Sequence, residues 1–303
     1  MISRIHFHRT KILLALAALL LAPLPSALAQ QTRAVINVPV ANMFSGPSAE
    51  LDVVSQAIFG SNIEVLQQKP GWVEIRTPAD QYTGWVQRAE LVRLGETTRY
   101  ASTGEVAVVE DLQIHLYPVP DVTRRAPMLT LPFETRLEIV EEKPGGRWLL
   151  ASLPDGRKAW LQQGAVKLYK NAADIPKGDM TIPQMVNFSH RFLGLPYTWG
   201  GRSSFGYDCS GFVQMLMRQR GYSIPRDADV QANWSGFESV KVANLRAGDV
   251  LFFGDHGKVT HTGMYIGHGK FIDATTYKHP VIQINQLDKH WRKELIAARR
   301  VKQ

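Results

Sequence analysis

The 303-residue chain has one cysteine, Cys209, and therefore no partner for an internal disulfide. A lone cysteine also has no companion for a zinc cluster, and the nine histidines are not at ligand spacing, so neither a metal nor another cofactor is expected. Long hydrophobic runs are missing as well. The apolar run Ile12 to Ala22 is about half of the roughly 20 residues a membrane span needs. It follows Arg4, Arg9 and Lys11 and precedes Ala27-Leu28-Ala29, the order of a secretory signal peptide covering residues 1–29. The protein is thus expected to be exported, periplasmic or extracellular, and free of the membrane once cleaved, because no cysteine stands near the cleavage point to carry a lipid. Concentrated positive charge is the third absence. With three of the 35 basic residues removed and 27 acidic ones kept, the mature net charge is +5, and no arginine cluster interleaved with aromatics suggests a nucleic-acid partner. The chain is taken as a monomer.

What is present begins with an internal repeat. Ile63-Glu64-Val65-Leu66-Gln67-Gln68-Lys69-Pro70-Gly71-Trp72 recurs loosely as Leu137-Glu138-Ile139-Val140-Glu141-Glu142-Lys143-Pro144-Gly145-Gly146-Arg147-Trp148, and Gly84-Trp85-Val86 as Ala159-Trp160-Leu161. Short alternating segments broken by Gly, Pro and Asp are the pattern of small antiparallel barrels. Two all-β modules are expected, 31–95 and 104–169, with at least Trp148 and Trp160 in barrel core. The stretch Val40-Ala41-Asn42-Met43-Phe44-Ser45-Gly46-Pro47-Ser48, a turn at Gly60, Trp72 and Gly84-Trp85-Val86 resemble a bacterial Src-homology-3-like module, and the second copy resembles it more weakly.

Residues 170–180, polar and aperiodic with Pro176 and Gly178, read as a linker to a last domain over 181–303. There Ile182 to Leu193 shows a helical stripe, Phe212, Val213, Leu216 and Met217 show another ending near Gly221, and Val250 to Phe253, Thr262 to Ile266 and Phe271 to Ala274 alternate as strands. Helix on antiparallel sheet, an α+β domain, is the natural reading.

A thiol becomes a useful nucleophile when a helix amino terminus, a cation or a histidine base stabilises its thiolate. Asp208-Cys209-Ser210-Gly211 directly precedes the second stripe, so Cys209 would sit by first-turn N–H groups that could also hold an oxyanion. The blander reading is a buried apolar thiol. Among the histidines, His6 and His8 leave with the signal peptide, His256 and His268 read as loop residues, and His290 lies in a polar tail. His261 opens a strand, where its ring could face the helix.

Five motifs in order now carry a resemblance: Pro196-Tyr197-Thr198-Trp199-Gly200-Gly201, Gly206-Tyr207-Asp208-Cys209-Ser210-Gly211-Phe212, Pro225-Arg226-Asp227, Gly248-Asp249-Val250-Leu251-Phe252-Phe253 and His261-Thr262-Gly263-Met264-Tyr265-Ile266-Gly267. From about 182 to 300 the chain resembles the NlpC family of cell-wall cysteine peptidases. The resemblance implies an α+β papain-like catalytic domain preceded by the two small all-β barrels of the bacterial Src-homology-3-like type. It implies Cys209 as nucleophile, His261 as general base, and Asp273 as the group that orients the imidazole, at a place where the family more often has histidine. Geometry supplies a condition. If the two strands pair around an even loop such as 267–270, His261 and Asp273 point to opposite faces, and His279 becomes the substitute; an odd loop such as 267–269 puts them on one face as diagonal neighbours.

In the branch with amino-terminal barrels, the resemblance further implies cleavage after γ-D-glutamate in peptidoglycan stem peptides with a free L-alanine. Asp208 and Ser210 would hold the alanine ammonium, Tyr197 would line the pocket, and Tyr82 would reach it from the first barrel. The acidic barrel residue of that branch has no match in Val53-Val54-Ser55-Gln56, only Glu50 and Asp52 lying close. The second barrel is read as a spacer, Asp208 alternatively as a helix cap, Arg226 and Asp227 as a salt bridge, and Asp249 as a turn residue. Two rivals stay open: a wall-binding protein with a degenerate peptidase domain, and an amidase of the same fold.

Overall fold

Alternation builds the two amino-terminal segments. In Trp72–Arg76 the residues Val73 and Ile75 point inward, and in Trp148–Ser152 the residues Leu149 and Ala151 do the same, one face of each strand meeting core. The computed structural model describes residues 33–95, 97–142 and 145–302; the expected signal peptide lies outside them.

The first segment forms one seven-stranded antiparallel sheet in the order Val53–Ile58, Val40–Phe44, Thr83–Gln87, Trp72–Arg76, Asn62–Lys69, Arg33–Ile36 and Leu91–Arg93. The second forms a five-stranded sheet, Lys158–Gln162, Trp148–Ser152, Arg136–Glu142, Val106–Val109 and Val166–Tyr169, with a separate pair Gln113–Leu116 and Leu129–Pro132. The repeat maps onto three consecutive strands in each. Even an irregularity recurs: the bulge that skips Leu66 in the first copy skips Val140 in the second, and both side chains are exposed. The tryptophans differ from expectation. Trp85 is the buried one, whereas Trp148 and Trp160 are half-buried, because Trp148 lies edge-on against Tyr117 at the margin of the sheet, 5.9 Å between centroids.

The connector and the linker are both tied down. Tyr100 exchanges two 2.9 Å bonds with Asn62 and donates its hydroxyl to the Ser152 carbonyl at 2.7 Å. Lys170, in the expected linker, bonds Glu105 and Glu142 at 2.5 and 2.9 Å. The second segment is more than a spacer. Its Phe133 enters the core of the last domain, 5.6 Å from Phe188 and 5.7 Å from Phe192, and its Glu134 takes Arg218 at 2.6 Å and Gln219 at 2.8 Å.

The last domain is α+β as expected. Helix α1, Ile182–Ser189, is started by a Thr181–Gln184 capping box with Pro183 in its first turn, and it gives way to a tight turn at His190–Phe192. Helix α2, Cys209–Arg218, begins at the cysteine and not at the apolar stripe, because Asp208 caps it: its Oδ1 accepts from the Gly211 amide at 2.7 Å. Residues 209–217 are all buried, as expected of a helix enclosed between a sheet and two flanking segments. The short helices α3, Ala228–Ala232, and α4, Lys289–Glu294, follow. The six-stranded antiparallel sheet runs Phe237–Ser239, Leu295–Val301, Val250–Asp255, Lys258–Gly267, Lys270–Thr275 and Val281–Gln286. The supposed polar tail after His290 is therefore an inner strand of the sheet.

Phe133→Ala removes an aromatic ring shared by two segments. It should lower unfolding free energy by about 3 kcal/mol, read as a lower midpoint in urea. An unchanged midpoint would mean that the second segment does not support the last domain.

Candidate active site

The sharp start of α2 places the thiol. Asp208 is extended (φ −88°, ψ 177°) and Cys209, 8% exposed, is the first helical residue. Of the first-turn amides, Gly211 donates to the Asp208 carboxylate and Phe212 to the Asp208 carbonyl at 3.0 Å. Those of Cys209 and Ser210 remain beside the sulfur, where the helix dipole favours negative charge. Gly211 is required by a close approach: a Cβ there would lie 2.2 Å from the Gly201 carbonyl oxygen.

His261 comes from the sheet. It does not open its strand, which starts at Lys258; a bulge at Thr260 precedes it and another at Ile266 follows. The second bulge decides the register. The hairpin turns on His268 and Gly269, both with positive φ, between Gly267 and Lys270, which is an even loop. Skipping Ile266 changes the parity, so Met264 pairs with Ile272 and Tyr265 with Phe271, the odd register. His261 and Asp273 then share a face, with Nε2 2.7 Å from Asp273 Oδ2. Gly263 keeps that face clear, since a Cβ on it would come within 3.0 Å of the Asp273 Cβ. His279, the substitute for an even register, is not needed.

With Nε2 engaged, Nδ1 is the ring nitrogen left to exchange a proton with Cys209, whose influence reaches the ring. Burial lowers the imidazole's proton affinity, but the bonds to Asp273 and Cys209 outweigh it and raise His261 to about 10. Burial also raises the Asp273 carboxyl, against the bonds from His261 and Asn285. Because Asn285 Nδ2 donates to Oδ1 at 2.9 Å while His261 holds Oδ2, both oxygens are occupied by donors, the arrangement suited to a carboxylate beside an imidazolium.

Around this chain of contacts the other expected residues gather, with changed partners. Tyr197 is raised by burial and by the negative charge of Cys209 and Asp208. The salt bridge of Arg226 is with Asp208 and not with Asp227: NH1 reaches Oδ1 at 3.0 Å and NH2 reaches Oδ2 at 2.6 Å. Arg226 also donates to Ser210 Oγ at 2.8 Å and to Ser55 Oγ at 3.2 Å. The strand without a carboxylate thus touches the site through Ser55, and Glu50 and Asp52 are exposed. Asp227 takes the Tyr82 hydroxyl on both oxygens, at 3.2 and 3.1 Å. Burial raises Asp227, opposed by Arg226 and Tyr82, and burial together with Asp227 pushes Tyr82 up to about 12. Asp249 is a turn residue that also binds Arg300 at 2.7 and 2.8 Å.

Sequence reasoning missed Asp227, Asn285 and Trp291. The Arg226-Asp227 pair was visible, but which carboxylate the arginine takes is a matter of geometry. A cavity of about 360 Å³ in the first barrel, lined by Phe44, Val54, Glu74, Tyr82 and Trp85, shares Tyr82 with the site but contains none of Cys209, His261 or Asp273. Among the described residues no cluster of three or more His, Cys, Asp or Glu could hold a metal, and no helix is long and apolar enough to cross a membrane.

Residues 194–300 match the NlpC/P60 family, and residues 43–91 match the bacterial dipeptidyl-peptidase SH3 domain. A Gamma-D-glutamyl-L-lysine dipeptidyl-peptidase of Bacillus cereus is 34% identical over 73% of this chain and 66% of its own length. Its Bacillus subtilis counterpart is 30% identical over 82% of this chain and 81% of its own. The crystal structure of an NlpC/P60 family protein from Bacillus cereus superposes with a TM-score of 0.75 at 27% identity, covering 89% of this chain and 99% of that one. The first segment is accordingly an SH3-like domain, and the chain belongs to the NlpC/P60 family of cysteine peptidases.

Proposed function

We propose that this is an exported cysteine endopeptidase that hydrolyses the bond between γ-D-glutamate and the diamino acid in peptidoglycan stem peptides bearing a free amino-terminal L-alanine. The observation that carries it is the His261–Asp273 pair that acts with Cys209 at the start of α2, together with a carboxylate, Asp227, that the first domain closes with Tyr82. The two relatives named for γ-D-glutamyl-L-lysine peptides support the substrate class.

The Cys209 thiolate attacks the γ-carbonyl carbon, and the amides of Cys209 and Ser210 receive the oxyanion. The imidazolium of His261 then protonates the departing amine of the diamino acid, leaving a thioester. Water, losing a proton to His261, releases L-Ala-γ-D-Glu. Asp273 holds the ring throughout and balances its charge.

Specificity for the free amine follows from counting charges. Asp208 is neutralised by Arg226, so Asp227 is left as the negative group lacking a cation, and a substrate ammonium balances it. Asp208, Ser210 and Tyr197 shape the wall behind it, and Tyr82 covers it. The second β segment, with the same strand order and the same bulge over the repeat, is read as a second SH3-like module that braces the peptidase domain. The run of basic, apolar and small residues over 1–29 is read as a signal peptide, which supports export to a periplasm or outside the cell.

Incubating the mature protein with L-Ala-γ-D-Glu-L-Lys and its diaminopimelate analogue, with free and acetylated amines, tests this by mass spectrometry. Cys209→Ala should lose at least about a thousandfold in rate; equal activity would remove the thiol from the reaction. Asp273→Asn should lower kcat by about 10³- to 10⁴-fold through the wrong imidazole tautomer.

Asp227→Asn should raise KM for the free-amine peptide by about tenfold to a hundredfold, with little change in kcat, and abolish discrimination against the acetylated one. The pH dependence has a fixed sign. Asp227 titrates above the ordinary carboxylate range, so KM for the free amine should rise as pH falls through that raised value, and the acid limb should vanish in Asp227→Asn. Equal rates on both peptides in the wild type would sink the amine requirement.

A further inference from the structure

The sequence drew no attention to Trp291, yet the structure sets its indole on the ring of His261. The centroids are 5.5 Å apart with the planes tilted by 31°. Phe253, the cross-strand partner of His261, lies at 5.8 Å and 35°. Phe253 and Phe271 in turn contact Trp291 at 5.0 and 5.1 Å, so the indole cannot turn away without disturbing the core of the sheet. Helix α4 fixes it from its start, where the Asp288 carboxylate accepts from the Trp291 amide at 3.3 Å.

We propose that Trp291 is a positioning residue whose π face favours the imidazolium form of His261 and so extends the pH range in which the imidazolium stands beside the Cys209 thiolate. The inference rests on the reading of Cys209 and His261 as the reacting pair. Two observations carry it. The imidazole lies within the distance at which a cation gains from an aromatic ring, its plane within 31° of the indole's. The indole Nε1 is buried and finds no hydrogen-bond partner, a cost that a phenylalanine of similar shape would not incur. Tryptophan's advantage over phenylalanine at such a place is its stronger attraction for a cation.

The groups facing the imidazole from its surroundings are Cys209 on α2, Asp273 on the Lys270–Thr275 strand and, behind Asp273, Asn285 on the next strand. Tyr197 stands beyond Cys209. On the far side of Trp291 lie Tyr277, stacked on His290 at 4.9 Å, and Lys278 above Tyr277.

The test is the titration of His261 followed by ¹⁵N NMR of the imidazole, assigned with His261→Gln, which needs no substrate. Trp291→Leu should lower the midpoint by about half to one pH unit. Trp291→Phe, which keeps an aromatic face, should lower it by less than half as much. Global replacement of tryptophan by 5-fluoro-, difluoro- and trifluorotryptophan should step the midpoint down progressively while leaving shape unchanged, and the steps should disappear in a Trp291→Phe background. The fluorinated series decides the matter if the leucine variant does not fold. Coincident wild-type and leucine titrations, a phenylalanine shift as large as the leucine one, or a midpoint indifferent to fluorination would each overturn the proposal. If His261 titrates like an ordinary histidine and ignores Cys209→Ala, the reacting-pair reading falls with it; if that coupling persists while Trp291 changes do nothing, only this inference falls.

Discussion

The buried ion pair of Arg226 with Asp208 is the contact on which the rest of the site depends. The guanidinium is 2% exposed and reaches four groups from separate parts of the chain: the carboxylate that caps α2, the hydroxyl after the cysteine, the Gly201 carbonyl and Ser55 of the SH3-like domain. Removing one partner from such a pair costs about 3–5 kcal/mol, because the other charge is stranded away from water. The helix start that carries Cys209, the loop that carries Asp227 and the strand that carries Ser55 are therefore held as a set. The SH3-like domain is structurally part of the peptidase site.

Helix α2 is gripped at its other end as well. Gln214 donates to Asp80 of the SH3-like domain at 3.1 Å, and Arg218 binds Glu134 of the second segment. Asp80 is held ionised by Arg202 and its hydrogen bonds, against the burial that opposes them. A helix held at its start by Arg226 through Asp208, in its middle by Asp80 and at its end by Glu134 has little freedom to tilt. A nucleophile at its first residue benefits directly, since small displacements of a reacting atom are costly in rate. The same arrangement explains why the expected linker is pinned: with two segments packed on α2, the connecting chain has no slack, and a Cβ at Gly178 would lie 2.2 Å from the Arg218 carbonyl oxygen.

Much of this was legible in sequence, for physical reasons that can be named. Strand alternation, the repeat and the cap before Cys209 are local properties, so the α+β domain and the helix start were open to reading. The partner choices were not. Arg226 has acidic residues at 208 and 227 within reach, and which one it takes depends on the direction in which the loop enters. The Thr260 and Ile266 bulges left no mark in the alternation, although Gly267 with His268-Gly269 is consistent with an irregular turn. Trp291 lay in a stretch read as polar tail because Lys289, His290, Arg292 and Lys293 surround it, and only a short helix turns its one apolar side inward. Tertiary packing, which a local pattern does not encode, decided each of these.

The aspartate at 273 shows how one residue draws in its neighbours. A histidine there would be satisfied by one acceptor and one donor. A carboxylate that is wholly buried is stable only with donors on both oxygens, and the structure provides them from two sides, His261 and Asn285. Asn285 lies on the next strand, opposite Phe271, two positions from the pairing of Asp273 with Gln283, so it can reach Oδ1 diagonally while His261 approaches Oδ2 from the other strand. The approach of His261 exists only in the register set by the Ile266 bulge. Asp273 therefore draws on two separate pairings: the bulge brings His261 to one oxygen, and the regular pairing with the next strand brings Asn285 to the other.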